Sequence, residues 1–116
     1  MASITAASGS ILSAAATLTV TPTEYAYAAN FGGGTVSQYT IATSGALIPM
    51  STPTVTAGTG PFSVSVDPTG HFAYVANFSS DSVSQFAIAA DGSLTPLGTP
   101  AAAGSHPAAI VTAAAY

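Results

Sequence analysis

The sequence contains no lysine, no arginine and no cysteine. Proteins that bind nucleic acid place cationic side chains against the phosphates, so the missing cations argue against that class. They argue equally against attachment to anionic membrane surfaces. Without cysteine the chain forms neither disulfides nor thiolate metal sites, and thiol chemistry gives no indication of its redox compartment.

Acidic side chains and long apolar runs are also scarce. The acidic residues are Glu24, Asp67, Asp81 and Asp91, which give a formal net charge of −4. Low net charge favours association between copies, so self-assembly is expected. No apolar run approaches the roughly 18 residues that a spanning helix needs. The first residues lack the basic region of a signal peptide, and we expect no membrane insertion.

One stretch of the sequence occurs twice. YAYAANFGGGTVSQYTIATSGAL (residues 25–47) aligns without a gap with FAYVANFSSDSVSQFAIAADGSL (residues 72–94), 47 residues apart by subtraction of the residue numbers. A period in the forties combined with strand-like alternation is typical of propeller blades. The sequence therefore predicts an all-β fold of propeller-type blades, each with four antiparallel strands.

The second repeat divides into four strands by alternation and turn chemistry. Strand A is FSVSV (62–66), strand B is FAYVAN (72–77) and strand C is SVSQFAI (82–88); LTPL (94–97) begins a weak outer strand D. DPTG (67–70) predicts a turn, because Asp accepts backbone hydrogen bonds, Pro presets φ and Gly closes the bend. Pro96 restricts strand D to a sheet edge. No segment keeps a 3.6-residue period, so almost no helix is predicted.

Fragments of the repeat occur near both ends. AASGSI (6–11) matches AADGSL (89–94), and AGSHPAAIVT (103–112) matches AGTGPFSVSV (57–66). The predicted organisation is the tail of a blade (1–13), a full blade (14–60), a second full blade (61–106) and the opening strand of a further blade (107–116). Two full blades with two fragments cannot close a ring, since propellers need about 4–8 blades.

An incomplete propeller leaves open faces and unpaired strand edges, which promote pairing with another chain. We expect strand A at the C-terminus of one copy to meet the N-terminal fragment of the next, forming a hybrid blade. Such a head-to-tail contact closes as a ring or propagates as a filament. The predicted partner is the protein itself, and the predicted assembly edges are Ile4, Ile11, Leu12, Ala109, Ile110 and Val111.

The signature VDPTGHFAYVANFSSDSVSQFAI, followed by DGSLTPL, resembles the lactonase-like β-propeller family built on YVTN-type repeats. YVAN (74–77) stands at the position of that motif, and YAAN (27–30) repeats it. The resemblance covers nearly the whole chain and implies a propeller. Some such members hydrolyse sugar lactones, whereas others are binding or surface proteins. The lactonases use basic and acidic side chains at the channel mouth, and this chain has no arginine, so the resemblance implies activity only by fold analogy.

His106 is the candidate ligand-binding residue. In GSHPAA it precedes an innermost strand, near the channel mouth of a propeller, where imidazole could bind a metal or transfer a proton. The alternative is a plain loop residue at the position that Gly60 fills in the sibling repeat. His71 and the aspartates adjoin turns, and bonds to the backbone explain the aspartates without calcium. No catalytic residue, metal site or cofactor is predicted.

Other polar residues recur at repeat positions. Gln38 and Gln85 lie on strand C, where they could bond between blades or copies, or could follow ordinary polar alternation. Asn77 begins a formal glycosylation sequon, NFS. Asn30 fills the same repeat position without a sequon, which favours a role for both at the strand end.

Two functions follow from these observations. The first is a non-enzymatic structural or interaction protein, whose blades assemble head-to-tail into an extracellular filament or closed ring; the lack of trypsin cleavage sites suits that location. The alternative is a lactonase-like or ligand-binding propeller subunit or fragment, acting on a sugar lactone or a similar small molecule. A truncated or designed sequence is a third possibility.

Overall fold

The computed structural model describes residues 23–115, which form two antiparallel sheets and contain no helix. The first sheet has the order β1 (Glu24–Asn30), β2 (Thr35–Ile41) and β3 (Leu47–Thr56). The second has the order β4 (Pro61–Val66), β5 (Phe72–Asn77), β6 (Ser82–Ile88) and β7 (Leu94–Pro96), and β8 (Ala101–Ala102) also pairs with β6. The predicted all-β, blade-like architecture is confirmed. Within the described range no helix is long and apolar enough to cross a membrane.

The second sheet contains the four predicted strands in the predicted order. β5 and β6 have the predicted bounds of strands B and C, and β4 begins one residue before predicted strand A. Strand D begins at Leu94 on the outer edge, as predicted, and is interrupted. It consists of two short pieces, β7 and β8, which both pair with β6. Pro96 lies at the end of β7 on the outer edge, where its missing N–H costs no ladder bond.

In the first repeat, β1, β2 and β3 correspond to strands B, C and D. Strand A of this repeat, predicted before residue 24, lies outside the described residues, as do the fragment 1–13 and the predicted edge residues Ile4, Ile11 and Leu12. Each sheet falls within one predicted repeat unit, 14–60 or 61–106. The boundaries of those units stay predictions.

The turn between β4 and β5 is built around Asp67, as its sequence predicts. Oδ1 of Asp67 accepts hydrogen bonds from the backbone N–H groups of His71 and Phe72, both at 2.9 Å. Oδ2 accepts a bond from the Thr69 hydroxyl. These bonds lower the pKa of Asp67 to about 2, and the bond from the Thr69 hydroxyl contributes most. Gly70 closes the turn with a φ of 76°, a conformation that glycine adopts without strain.

The hydrophobic core lies where the two sheets meet. Val36 comes from the first sheet, and the other buried members come from the second; together they are Val36, Ala73, Val75, Phe86 and Leu94. β-Branched and aromatic residues dominate this set, in agreement with their preference for strands. Because the apolar faces cover each other, the contact between the sheets stabilises both of them.

Residues 107–115 follow the second sheet and are in no strand. The hydroxyl of Thr112 donates to the carbonyl oxygen of Val66 at 2.7 Å, so this segment contacts the end of β4. Of the predicted edge residues, Ala109 is exposed, Ile110 is half-buried and Val111 is 82% exposed. A strand needs a ladder partner, and no strand of residues 23–115 pairs with this segment. The opening strand and its pairing with a second copy stay predictions.

Candidate functional site

The contact between the sheets joins β1 and β2 to the turn that connects β6 and β7. The hydroxyl of Tyr27 donates to the carbonyl oxygen of Gly92, and that of Tyr25 donates to the carbonyl oxygen of Ala90 at 3.2 Å. Gly92 has a φ of 87°, and a Cβ there would overlap the Tyr25 ring, so the close approach requires glycine. The pKa of Tyr27 is raised to about 12, chiefly because the phenol is partly buried, and further because Tyr25 and Asp91 disfavour a negative charge there.

Gln38 joins the two sheets through both ends of its amide. Its side chain is fully buried. Nε2 donates to the carbonyl oxygen of Thr52 in the first sheet at 2.7 Å. Oε1 accepts a bond from the backbone N–H of Leu94 in the second sheet at 2.6 Å. Buried polar groups require such partners, and of the two sequence interpretations of Gln38, bonding between blades is the one confirmed.

The position of Gln38 explains its bond to Thr52. The register of β2 against β3 shifts between Ser37 and Tyr39, so β3 carries extra residues opposite Gln38. A bulge leaves backbone groups outside the regular ladder. The side-chain amide supplies a donor for one of them, the Thr52 carbonyl. Gln85 repeats the arrangement, since its Nε2 donates to the carbonyl oxygen of Thr99 at 3.1 Å.

The second sheet presents the counterpart of this contact surface on its outward side. We call it the outer flank, and it consists of Phe72, Tyr74, Val83 and Gln85. These residues match Tyr25, Tyr27, Val36 and Gln38 by the repeat. The cross-strand register is also the same, with Tyr74 opposite Gln85 as Tyr27 is opposite Gln38.

Burial distinguishes the two copies of this surface. Val36 and Gln38 are buried in the contact, whereas Val83 and Gln85 are half-buried. Gln85 makes only the first of the two bonds of Gln38, because no donor among residues 23–115 reaches its Oε1. The outer flank therefore carries the side chains of a blade contact, and no further blade within residues 23–115 packs against it.

The other half of the internal contact is the turn between β6 and β7, and its counterpart in the first repeat is exposed. Leu94 is 5% exposed because it lies against the first sheet, whereas its repeat counterpart Leu47 is 53% exposed. Gly92 touches the Tyr25 ring, whereas a Cβ at the equivalent Gly45 would meet open space. We call this second surface the turn flank, residues 45–48. The two flanks have the composition of the two halves of the contact that the chain forms internally.

His106 lies at the opposite end of β5 from His71, so the two histidines do not form a metal pair. Its backbone N–H donates to Oδ1 of Asp81 at 2.8 Å, and its φ of 53° matches the left-handed conformation of Gly60. The imidazole stacks on Phe78, with ring centroids 4.6 Å apart. Within residues 23–115 no three His, Cys, Asp or Glu side chains are placed to hold a metal ion.

Phe78 continues into a row of aromatic rings that the sequence interpretation did not identify. Its centroid lies 5.5 Å from that of Phe62 and 6.1 Å from that of Phe31. Phe31 and Phe62 are each about half exposed. These are distances of direct ring packing, so the rings fill the space between them and leave no cage for a ligand. The one sequence feature that could have indicated the row is that Phe31 and Phe78 occupy the same repeat position, 47 residues apart.

Asn77 fixes the end of β5. Its Nδ2 donates to the hydroxyls of Ser82 at 3.2 Å and Ser84 at 2.9 Å, and its Oδ1 accepts a bond from the Gly58 N–H at 3.1 Å. Asn30 bonds two hydroxyls of β2 in the same way. The predicted strand-end role is confirmed. The amide of the NFS sequon is fully buried in the folded chain.

Comparison with known proteins supports the blade architecture. A family model described as "Lactonase, 7-bladed beta-propeller" matches residues 4–111. A solved protein of unknown function from Desulfotomaculum acetoxidans DSM 771 is similar, with 25% identity, a TM-score of 0.61, and coverage of 68% of this chain and 25% of its own. Kuenenia stuttgartiensis hydrazine synthase is similar with 27% identity, a TM-score of 0.57, and coverage of 73% and 22%. No curated protein matches. The chain spans about a quarter of each solved relative.

Proposed function

The chain belongs to the lactonase family of seven-bladed β-propellers, and we propose that it completes its propeller with further copies of itself, as a non-enzymatic structural and interaction protein. The outer flank of one copy packs against one side of the hybrid blade, and the turn flank of the next copy packs against the other side. The assembly is a filament or a closed ring outside the cell. The near absence of charge supports this proposal, since weak repulsion between copies favours association.

The observation that carries the proposal is the difference in burial between equivalent residues. Fully burying a leucine-sized side chain contributes about 1.5–3 kcal/mol. Leu47, Ile48 and Phe72 are about 40–50% exposed, so covering each of them contributes about 1 kcal/mol. A bond to Gln85 Oε1 adds about 0.5–1.5 kcal/mol. These contributions offset part of the entropic cost of association.

The contact is heterologous, because the two surfaces that meet are different. Heterologous contacts produce rings when the rotation closes and filaments when it does not. If each copy contributes two full blades and shares a hybrid third, a ring of identical copies has a multiple of three blades. Seven, the blade number of the family, is not a multiple of three, so such a ring would differ in blade number from a seven-bladed one.

Electron microscopy of the purified chain tests the proposal. Filaments or discrete rings of blade-sized thickness are the expected result. Single particles of one chain at micromolar concentration would contradict self-completion and would leave the flanks to some other partner. The variant Gly92→Val is a useful control, because it disrupts the contact between the two internal blades and should abolish ordered assemblies through misfolding.

A lactonase-like or ligand-binding propeller is the second candidate, favoured by the family match and by the imidazole that stacks on an exposed aromatic row. Titration of acid release from a sugar lactone measures this activity. Hydrolysis that is lost in His106→Ala and retained in His71→Ala would favour the second candidate. Ordered assemblies without hydrolysis would favour the first.

A further inference from the structure

The outer flank has one segment of this chain as its best-matched ligand. We infer that residues 6–11 of a second copy bind the outer flank in the register that residues 89–94 adopt against β1 and β2. This inference rests on the proposed self-association and specifies which surfaces meet. Residues 6–11 lie outside the described residues, and their placement comes from the match of AASGSI to AADGSL.

The segment keeps the features that the internal contact uses. Within the chain, the first sheet bonds the carbonyl oxygens of Ala90 and Gly92 and the N–H of Leu94. The corresponding residues of the segment are Ala7, Gly9 and Ile11. The segment contributes only backbone groups to these three bonds. Its two differences from residues 89–94, Ser8 for Asp91 and Ile11 for Leu94, therefore remove none of them. Ile11 supplies an apolar side chain where Leu94 enters the core.

The outer flank keeps the matching donor and acceptor. Tyr74 corresponds to Tyr27, and in the inferred register its hydroxyl donates to the carbonyl oxygen of Gly9 of the second copy. Gln85 corresponds to Gln38, and its Oε1 accepts the N–H of Ile11 of the second copy. The bond from Gln85 Nε2 to Thr99 already fixes the amide. The acceptor is therefore oriented before the partner arrives, which lowers the entropic cost of binding.

Glycine is required in the bound segment for the same reason as inside the chain. Gly92 combines a positive φ with contact to the Tyr25 ring. Phe72 has the position of that ring on the outer flank, so a side chain at Gly9 would meet both the strained backbone and the Phe72 ring. Phe72 lacks a hydroxyl, so the bond that Tyr25 makes to Ala90 has no equivalent at Ala7.

Two variants block opposite halves of this contact. Gln85→Lys places a charge on the outer flank and leaves the segment intact, whereas Gly9→Val blocks the segment and leaves the outer flank intact. The matched control Thr54→Lys adds the same charge on the exposed outer strand β3. Far-UV circular dichroism establishes that each variant folds. Gln85→Leu removes the Oε1 acceptor together with the Nε2 donor to Thr99, without adding a charge. It should weaken association about tenfold if Gln85→Lys fails to fold.

Sedimentation velocity then measures each variant alone and an equimolar mixture. Gln85→Lys and Gly9→Val should each remain single chains where Thr54→Lys and the unmodified chain assemble. Their mixture should form a one-to-one dimer, because the intact flank of one variant binds the intact segment of the other. Assembly of either variant alone at the unmodified level, or a mixture without dimers, would overturn the register. Failure of the unmodified chain to assemble would instead overturn the proposed function.

Discussion

Substitution of Gln38 by alanine tests the blade contact against a matched position in the same chain. Gln38→Ala removes the acceptor of the Leu94 N–H and the donor to the Thr52 carbonyl, and it leaves a void at a fully buried site. Leaving a buried donor or acceptor without a partner costs about 1–3 kcal/mol. With the void included, we expect the free energy of unfolding to fall by about 2–4 kcal/mol.

Gln85→Ala is the matched control, because Gln85 has the same repeat position and makes one hydrogen bond within residues 23–115, at a half-buried site. Its loss should cost about 0.5–1.5 kcal/mol. Urea unfolding followed by far-UV circular dichroism measures both variants, at a protein concentration low enough to keep the outer flank uncovered. A difference of about 2 kcal/mol corresponds to a difference of about 1 M in the urea midpoint, given a slope of about 1–3 kcal/mol per molar.

Equal midpoints for the two alanine variants would refute the reasoning, since they would mean that the first sheet does not bury Gln38 against Leu94. Gln38→Met separates the two causes of the loss. It fills the space without accepting the Leu94 N–H, so its midpoint should lie between those of Gln38→Ala and the unmodified chain.

Three further predictions follow from the same contacts. Leu94→Ala should cost about 2–5 kcal/mol by urea unfolding, whereas Leu47→Ala should cost well under 1 kcal/mol, because only Leu94 is buried; similar losses would contradict the assigned core. The phenol of Tyr27 should titrate near pH 12 by ultraviolet absorbance and disappear in Tyr27→Phe, and its stabilising effect should be complete below about pH 10 and lost as the pH rises through 12. The carboxyl of Asp67 should titrate near pH 2 by NMR, so its turn should keep its stabilising effect above about pH 4 and lose it as the pH falls through 2. In Thr69→Val that pKa should move toward the ordinary value, and an unchanged value would contradict the assigned cause.

The strands of the second sheet could be predicted because their information is local. Alternation fixes which residues share a face, and the turns that begin at Asp67 and Phe78 fix where the chain reverses. Strand D was predicted less well for a physical reason. Pro96 and Gly98 interrupt it, and Ala101–Ala102 have little strand preference of their own. β8 exists because the free edge of β6 accepts it, which is a tertiary effect.

The candidate site could be predicted only in part. Gln38 and Gln85 have almost the same local sequence, yet one is buried and doubly bonded and the other is half-buried. Their difference depends on what packs against each sheet, which local sequence does not encode. The aromatic row could not be predicted for the same reason. Phe62 and Phe78 lie at the ends of different strands, and their rings meet only when the sheet forms. The bonding role of Asp67, in contrast, could be predicted from turn chemistry alone, whereas Asp81 accepts the N–H of the distant His106.

The central claim is that the exposed flanks of the two described blades are the unfilled halves of a contact that the chain already makes once. Sedimentation velocity of the unmodified chain from low to high micromolar concentration tests it most directly. The account predicts a sedimentation coefficient that rises with concentration as copies join head-to-tail. A folded chain that sediments as a single monomer throughout that range would contradict it.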